Sequence, residues 1–426
     1  MPDKNPPDDV APRLSRRRLL AAAAATGLVA STEGVARAAE FAAPTTVSLG
    51  TQPKGLPVGQ HVWPSLKNDA GGNPIDPKYN RLLFFDVLKA PTVASVRTLE
   101  AALRTVERTY PWNASGVMFT VSWGPHYFER VLKVASPIPH PQQLSDFEYP
   151  IFDGYDVCIH LASDDEKILV AIQNALTSGA SLKGGAKADL SSIFRWRETR
   201  TGFAGDGIPA AHQTNVTGIP AGGVVPASSP LFMGFKSGYV KNQATEESVT
   251  ITTGDFAGGT TQHVSYIRLK LDRWYSGMSQ AQRVQLMFGP QITQDQVNAF
   301  KDDPQSKPEA LNNDAVTFGI VGHAQAAARA RTTSGPVIIR RDFDTIDGGV
   351  AGLHFVAVQK SIDDFVTMRQ AMNATNAPRL NPAITATTNN GINEFMFVLR
   401  RANYIVPPRA KRSFPLFAYQ AQALSA

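Results

Sequence analysis

His323 and the adjacent pair Arg340 and Arg341 are the residues whose types and spacing invite chemistry. They lie in one stretch, residues 321–343, V-G-H-A-Q-A-A-A-R-A-R-T-T-S-G-P-V-I-I-R-R-D-F. His323 falls in a small-residue helical segment that Ser334, Gly335 and Pro336 bring to a stop, and the β-branched run Val337-Ile338-Ile339 then delivers the arginines. A helix, a breaker and a strand can set an imidazole and a guanidinium on opposite sides of one cavity. A neutral imidazole binds metals or carries protons, and a guanidinium is a permanent cation suited to developing negative charge. Side chains of a strand alternate between its faces, so only one of two neighbouring arginines can enter such a cavity. Taken alone, a single histidine in an alanine-rich helix is more often a packing residue than a ligand.

The elements that must hold this stretch follow from periodicity. Residues 81–88 and 116–123 read as strands, with helical spacing of Val93, Val96, Leu99, Leu103 and Val106 between them. Residues 155–162 alternate as a strand, and an amphipathic helix follows over 164–176, with Ser163 as its expected cap. The tract from about 180 to 220 reads as loop. The theme then repeats as a strand over 263–271, a helix over 279–288, a strand over 352–359, a helix over 361–372 and a closing strand over 394–399. D-V-C-I-H-L-A-S-D-D-E-K-I-L-V-A-I-Q-N-A-L from Asp156 faintly matches G-L-H-F-V-A-V-Q-K-S-I-D-D-F-V-T-M-R-Q-A-M from Gly352. The expected class is therefore α+β, two ferredoxin-like halves with antiparallel sheets and helices on their outer faces. The boundaries drawn are an extended leading segment over 39–80, a first half over 81–220 and a second over 221–426.

Composition narrows the classes. At 426 residues and 43% hydrophobic content the chain can bury the cores of two domains. Its one cysteine, Cys158, rules out a disulfide framework or a multi-cysteine metal site. A net charge of +6 with no basic stripe interleaved with aromatics argues against nucleic acid as a partner. Arg16, Arg17 and Arg18 precede an apolar, alanine-rich run that lasts to about Ser31, and Ala36-Arg37-Ala38 offers a cleavage site. That is the pattern of a secretory signal of the twin-arginine type over residues 1–38. Its apolar centre is too short to span a bilayer. The expectation is export by the twin-arginine translocase to the periplasm or beyond. That route carries folded cargo, often with a cofactor already inserted.

Several segments, taken in order, resemble the dye-decolorizing peroxidases. Gly55-Leu56-Pro57 and His61-Val62-Trp63 are similar to the family's leading segment, and L-F-M-G-F-K-S-G over 231–238 resembles its G-x-x-D-G motif. H-V-S-Y-I-R-L-K-L-D-R-W-Y from His263, His323 with Ile339-Arg340-Arg341, and Gly352-Leu353-His354-Phe355 resemble later segments. The resemblance implies a fold of the dimeric α/β barrel type. It also implies haem b as cofactor, His323 as the ligand of the haem iron, and Phe235, Lys236, Gly238, Leu353 and Phe355 as further haem-binding residues. Hydrogen peroxide and an organic reductant would be the substrates, and a homo-oligomer is among the assemblies allowed. Arg341, eighteen residues after His323, matches the family's spacing and is the expected distal arginine, with Arg340 facing away.

Two departures bear on activity. The family's motif carries aspartate where this chain has Ser237, and a hydroxyl is a far weaker acid or base than a carboxylate. Loss of a general acid–base typically costs ~10²–10⁴-fold in rate. The family's proximal carboxylate would fall in residues 380–384, L-N-P-A-I, which hold no acid, leaving Asn381 or a backbone carbonyl as partner for the histidine. The reading is therefore an exported haem peroxidase with Arg341 and Ser237 in the catalytic positions. Its rivals are a non-catalytic haem carrier or sensor, and a haem-free scaffold with a repurposed cavity. Trp274 and Tyr275 are either core residues or electron donors, and His354 is either a satisfied core residue or part of the cavity wall.

Overall fold

In the computed structural model, residues 53–64, 66–236, 242–298 and 307–417 are described. The signal assigned to residues 1–38 lies outside them, as does the start of the extended segment. The first half runs β1 (Tyr79–Val87), the helix Val93–Thr109, β2 (Met118–Trp123), the two-residue β3 (Ile151–Phe152), β4 (Val157–Ser163), the helix Glu166–Ser178 and β5 (Phe194–Phe203). Its long strands pair in the order β2-β4-β1-β5, the ferredoxin-like order. The second half runs β6 (Thr260–Leu269), β7 (Ile338–Arg340), β8 (Phe343–Thr345), β9 (Gly352–Gln359), the helix Ile362–Ala371 and β10 (Met396–Val406). It pairs in the equivalent order β8-β9-β6-β10, with β7 beside β9. The halves join where Phe203 of β5 meets Asp344 of β8 and where Ile405 of β10 meets Trp123 of β2, which closes the sheet into a barrel. The class is α+β with two ferredoxin-like halves.

Local chemistry explains most element ends. Thr92, Ser279 and Ser361 each cap a helix by accepting a hydrogen bond from a backbone N–H two or three residues on. Ser163 does not cap the next helix as expected. It ends β4, and its Oγ takes the Asp165 N–H at 3.0 Å, while Asp165 caps Lys167 N at 2.9 Å. β5 falls inside the tract that periodicity assigned to loop. Its sequence F-R-W-R-E-T-R-T-G-F has no apolar stripe, because ion pairs match it to its neighbours. Arg197 meets Asp86 of β1 at 2.8 Å and Arg200 meets Asp153 at 2.7 Å.

Alternation sorts the core. Leu83, Phe85, Phe119, Val121 and Ile159 face the first-half helices. Leu82, Phe84 and Cys158 face the barrel interior with Phe343, Val356 and Tyr404. Behind the helix Val93–Thr109, the buried Arg412 bonds Glu107 at 2.5 Å and Glu100 at 3.1 Å, and Arg409 also pairs with Glu107. Removing one member of a buried ion cluster leaves its partners desolvated and uncompensated, which costs about 3 kcal/mol. Arg412→Ala is therefore expected to lower unfolding stability in urea by about 3 kcal/mol. A change below about 1 kcal/mol would show that Arg409 and Arg104, which pairs with Glu100 at 3.0 Å, compensate the carboxylates unaided.

Candidate functional site

A cavity lies on the outer face of the second-half sheet, and strand alternation chooses the side chains that line it. Ser265, Ile267 and Leu269 come from β6, Leu353 and Phe355 from β9, and Met396 and Val398 from β10. The pairing of β10 with β6 slips between Val398 and Arg400, and this bulge turns Arg401 onto the cavity face. His323, Ala324, Ala327 and Ala328 form one helical wall, and Phe365, Met368 and Arg369 come from the helix Ile362–Ala371. The volume is about 210 Å³, far above the roughly 10–15 Å³ that admits a single water. The alanines leave the helix surface flat, so a broad ligand can lie against it.

His323 opens a short helix, His323–Ala328. The small-residue pattern had suggested a longer one. Past Ala328 the backbone tightens into three-residue turns, with Arg329, Ala330 and Arg331 N–H groups bonding to the carbonyls three residues before them. Two glycines fix the histidine's place. A side chain at Gly322 would run into the Phe288 carbonyl, and Gly391, at φ +57°, would press its Cβ to 3.0 Å from the His323 Cα. Gln325 pins the helix to Asp314 at 2.7 Å. Burial, aided by the charges of Arg340 and Arg369, lowers the His323 pKa to about 3. The ring is therefore a neutral imidazole with a lone pair to offer. No hydrogen bond engages its nitrogens among the described residues. Asn381 does not reach it. Its amide donates to the Val316 carbonyl at 3.2 Å, and its oxygen accepts from Ala383 N at 3.0 Å.

The arginines are the reverse of the expectation. Arg340 lines the cavity and Arg341 does not. Arg340 stands opposite Ala357 and Asp344 opposite Leu353 in a single register, so residues 340, 342 and 344 share the cavity face with Leu353 and Phe355. Arg341 points into the barrel, where it donates to the His61 carbonyl at 2.6 Å and stacks 3.5 Å from the Trp63 ring centroid. Distance along the chain from a histidine cannot set strand parity. Only the pairing with β9 does.

Phe235, Lys236, Leu353 and Phe355, the expected haem-binding residues, line the cavity. Ser237 and Gly238 lie outside the described residues. Reading the sequence missed Arg369, Arg401, Asp342 and Asp344, all on the cavity wall. The two aspartates depend on the register with β9, and Arg401 depends on the bulge. Burial raises the pKa of both carboxyls, and Asp344 accepts a hydrogen bond from Phe232 N at 2.5 Å. His354 belongs to the barrel interior, with Nε2 3.3 Å from Asp347. Trp274 is buried, with its N–H donated to the Met233 carbonyl at 3.0 Å, and is a core residue. His160 pairs with Asn80 at 2.9 Å, and burial pushes the nearby Cys158 thiol up, so neither resembles a metal or nucleophile site.

A family model described as a family of unknown function (DUF7405) matches residues 77–408. No curated protein matches the sequence. Among solved structures, DyPB from Rhodococcus jostii RHA1 is 13% identical with a TM-score of 0.54, covering 80% of this chain and 95% of that one. A DyP-type peroxidase from Cellulomonas bogoriensis is 18% identical with a TM-score of 0.52, over 78% and 90% of the two chains. A DypB variant from Rhodococcus jostii RHA1 in complex with heme is 13% identical with a TM-score of 0.53, over 83% and 98%. The chain therefore has the fold of the DyP-type peroxidases.

Proposed function

This chain belongs to the DUF7405 family, and we propose that it is an exported haem protein that reacts with hydrogen peroxide and draws electrons from an organic donor. The observation that carries the reading is one cavity lined by both a neutral, unengaged imidazole and a guanidinium, His323 from the helix and Arg340 from the strand. The walls fit haem. An alanine surface and apolar side chains suit a flat macrocycle, and Arg401, held through Nη2 to Glu148 at 2.7 Å, has two buried nitrogens, Nε and Nη1, without partners among the described residues, which would suit the haem carboxylates. His323 would hold the iron. When bound, haem supplies the redox chemistry of peroxide reduction. Arg340 would orient peroxide and stabilise the negative charge that builds on the departing oxygen, without itself giving up a proton. The amino-terminal pattern of residues 1–38 supports export by the twin-arginine route.

Titrating purified protein with haem tests the reading. The expected result is a Soret band that saturates at one equivalent and responds to hydrogen peroxide within seconds. Haem that stays unbound at stoichiometric concentration would rule the reading out. A second reading, a haem carrier or sensor, is favoured by Ser237 standing where a carboxylate is expected. It predicts the same Soret band without the peroxide response.

A further inference from the structure

We propose that Asp342 is the acid–base group of this cavity, carrying a proton from one oxygen of bound hydrogen peroxide to the other. The proposal rests on the haem-peroxidase reading above and supplies the group that Ser237 cannot provide. Its basis is placement. Asp342 follows Arg340 by two residues on the same strand face, and both line the cavity. The other cavity carboxylate, Asp344, is committed to Phe232 N and only 1% exposed. Asp342 is different. Its carboxylate accepts no hydrogen bond from another described residue, and it retains surface towards the cavity. A carboxylate with open lone pairs beside a fixed guanidinium has what peroxide heterolysis requires: one group to move a proton and another to hold charge.

The step balances. Asp342 takes the proton from the first oxygen and gives it to the second. That oxygen leaves as water, with its own hydrogen, the relayed proton and both electrons of the broken O–O bond. The carboxylate ends as it began, and the first oxygen atom, which keeps neither electron of the broken bond, would be left to the haem, which would supply the two electrons. The charged groups that act on or with Asp342 are Arg340, Asp344 and, from the extended segment, Asp76. Burial raises the Asp342 pKa while Arg340 opposes the rise, which brings the carboxyl nearer the range in which it can both accept and release a proton.

The test compares haem-loaded wild type with Asp342→Asn and Asp342→Glu. The Asn variant is expected to react with peroxide ~10²–10³-fold more slowly and to lose the acid limb of the pH profile, with partial recovery in the Glu variant. Hydrogen cyanide must also lose its proton to bind, so its association rate, followed by absorbance, should fall in Asp342→Asn with no turnover involved. Unchanged peroxide and cyanide rates in that variant would overturn the proposal. Failure of wild type to bind haem would instead overturn the functional reading. If wild type binds haem but ignores peroxide, the cyanide rates still decide the role of Asp342.

Discussion

His323→Ala is expected to abolish stoichiometric haem binding and the Soret band that reports it. The imidazole is the only side chain of the His323–Ala328 helix lining the cavity that carries a metal-binding atom. Loss of an outer-shell partner alone typically weakens metal binding by roughly 10–100-fold, and loss of the ligand itself should exceed that. The variant should fold, because alanine is a better helix former and no hydrogen bond of the ring is lost. A Soret band of wild-type position and intensity in His323→Ala would remove His323 from the iron. The same variant tests the pKa. In the folded protein His323 takes up no proton until about pH 3, whereas in the unfolded chain it does so near its ordinary 6.5. Its share of stability is therefore complete above pH 6.5 and is lost as pH falls through that window, at about 1.4 kcal/mol per pH unit. Haem-free wild type should lose about 2 kcal/mol more than His323→Ala between pH 6.5 and 5. Parallel stability curves would mean that the ring titrates normally.

The second large effect separates the two arginines. Arg340→Leu should slow the peroxide reaction by ~10²–10³-fold on the folded, haem-loaded fraction, the usual cost of losing one group that stabilises developing charge; it also strips the buried carboxylates of Asp342 and Asp76 of a compensating cation, so the rate and not the stability is its readout. Arg341→Ala should cost stability but spare the rate. It removes a guanidinium stacked on Trp63 and bonded to the His61 carbonyl inside the barrel, and it leaves a cavity there, for a loss of about 3 kcal/mol. Its peroxide rate, measured on the folded fraction, should stay within a few-fold of wild type. The inverse pattern would return Arg341 to the distal position and with it the simple spacing argument.

The sequence by itself singled out His323 and a pair of adjacent arginines, and most of the elements that carry them. The βα repeats, the helix starts at Thr92, Ser279 and Ser361 and the strand over 352–359 were legible, because capping hydroxyls and apolar periods act locally. So was the rule that only one of two adjacent arginines can face a cavity. Local pattern did not reveal β5, because its arginines are matched by Asp86 and Asp153 from distant segments. Tertiary structure alone decided which arginine enters the cavity, since parity on β7 and β8 follows from the register with β9. It also decided that Asp342 and Arg401 line the cavity, the first through that register and the second through the β10 bulge. A strand's side-chain period is two, so a shift of one residue in a long-range pairing exchanges its faces. No spacing within the chain can report that shift.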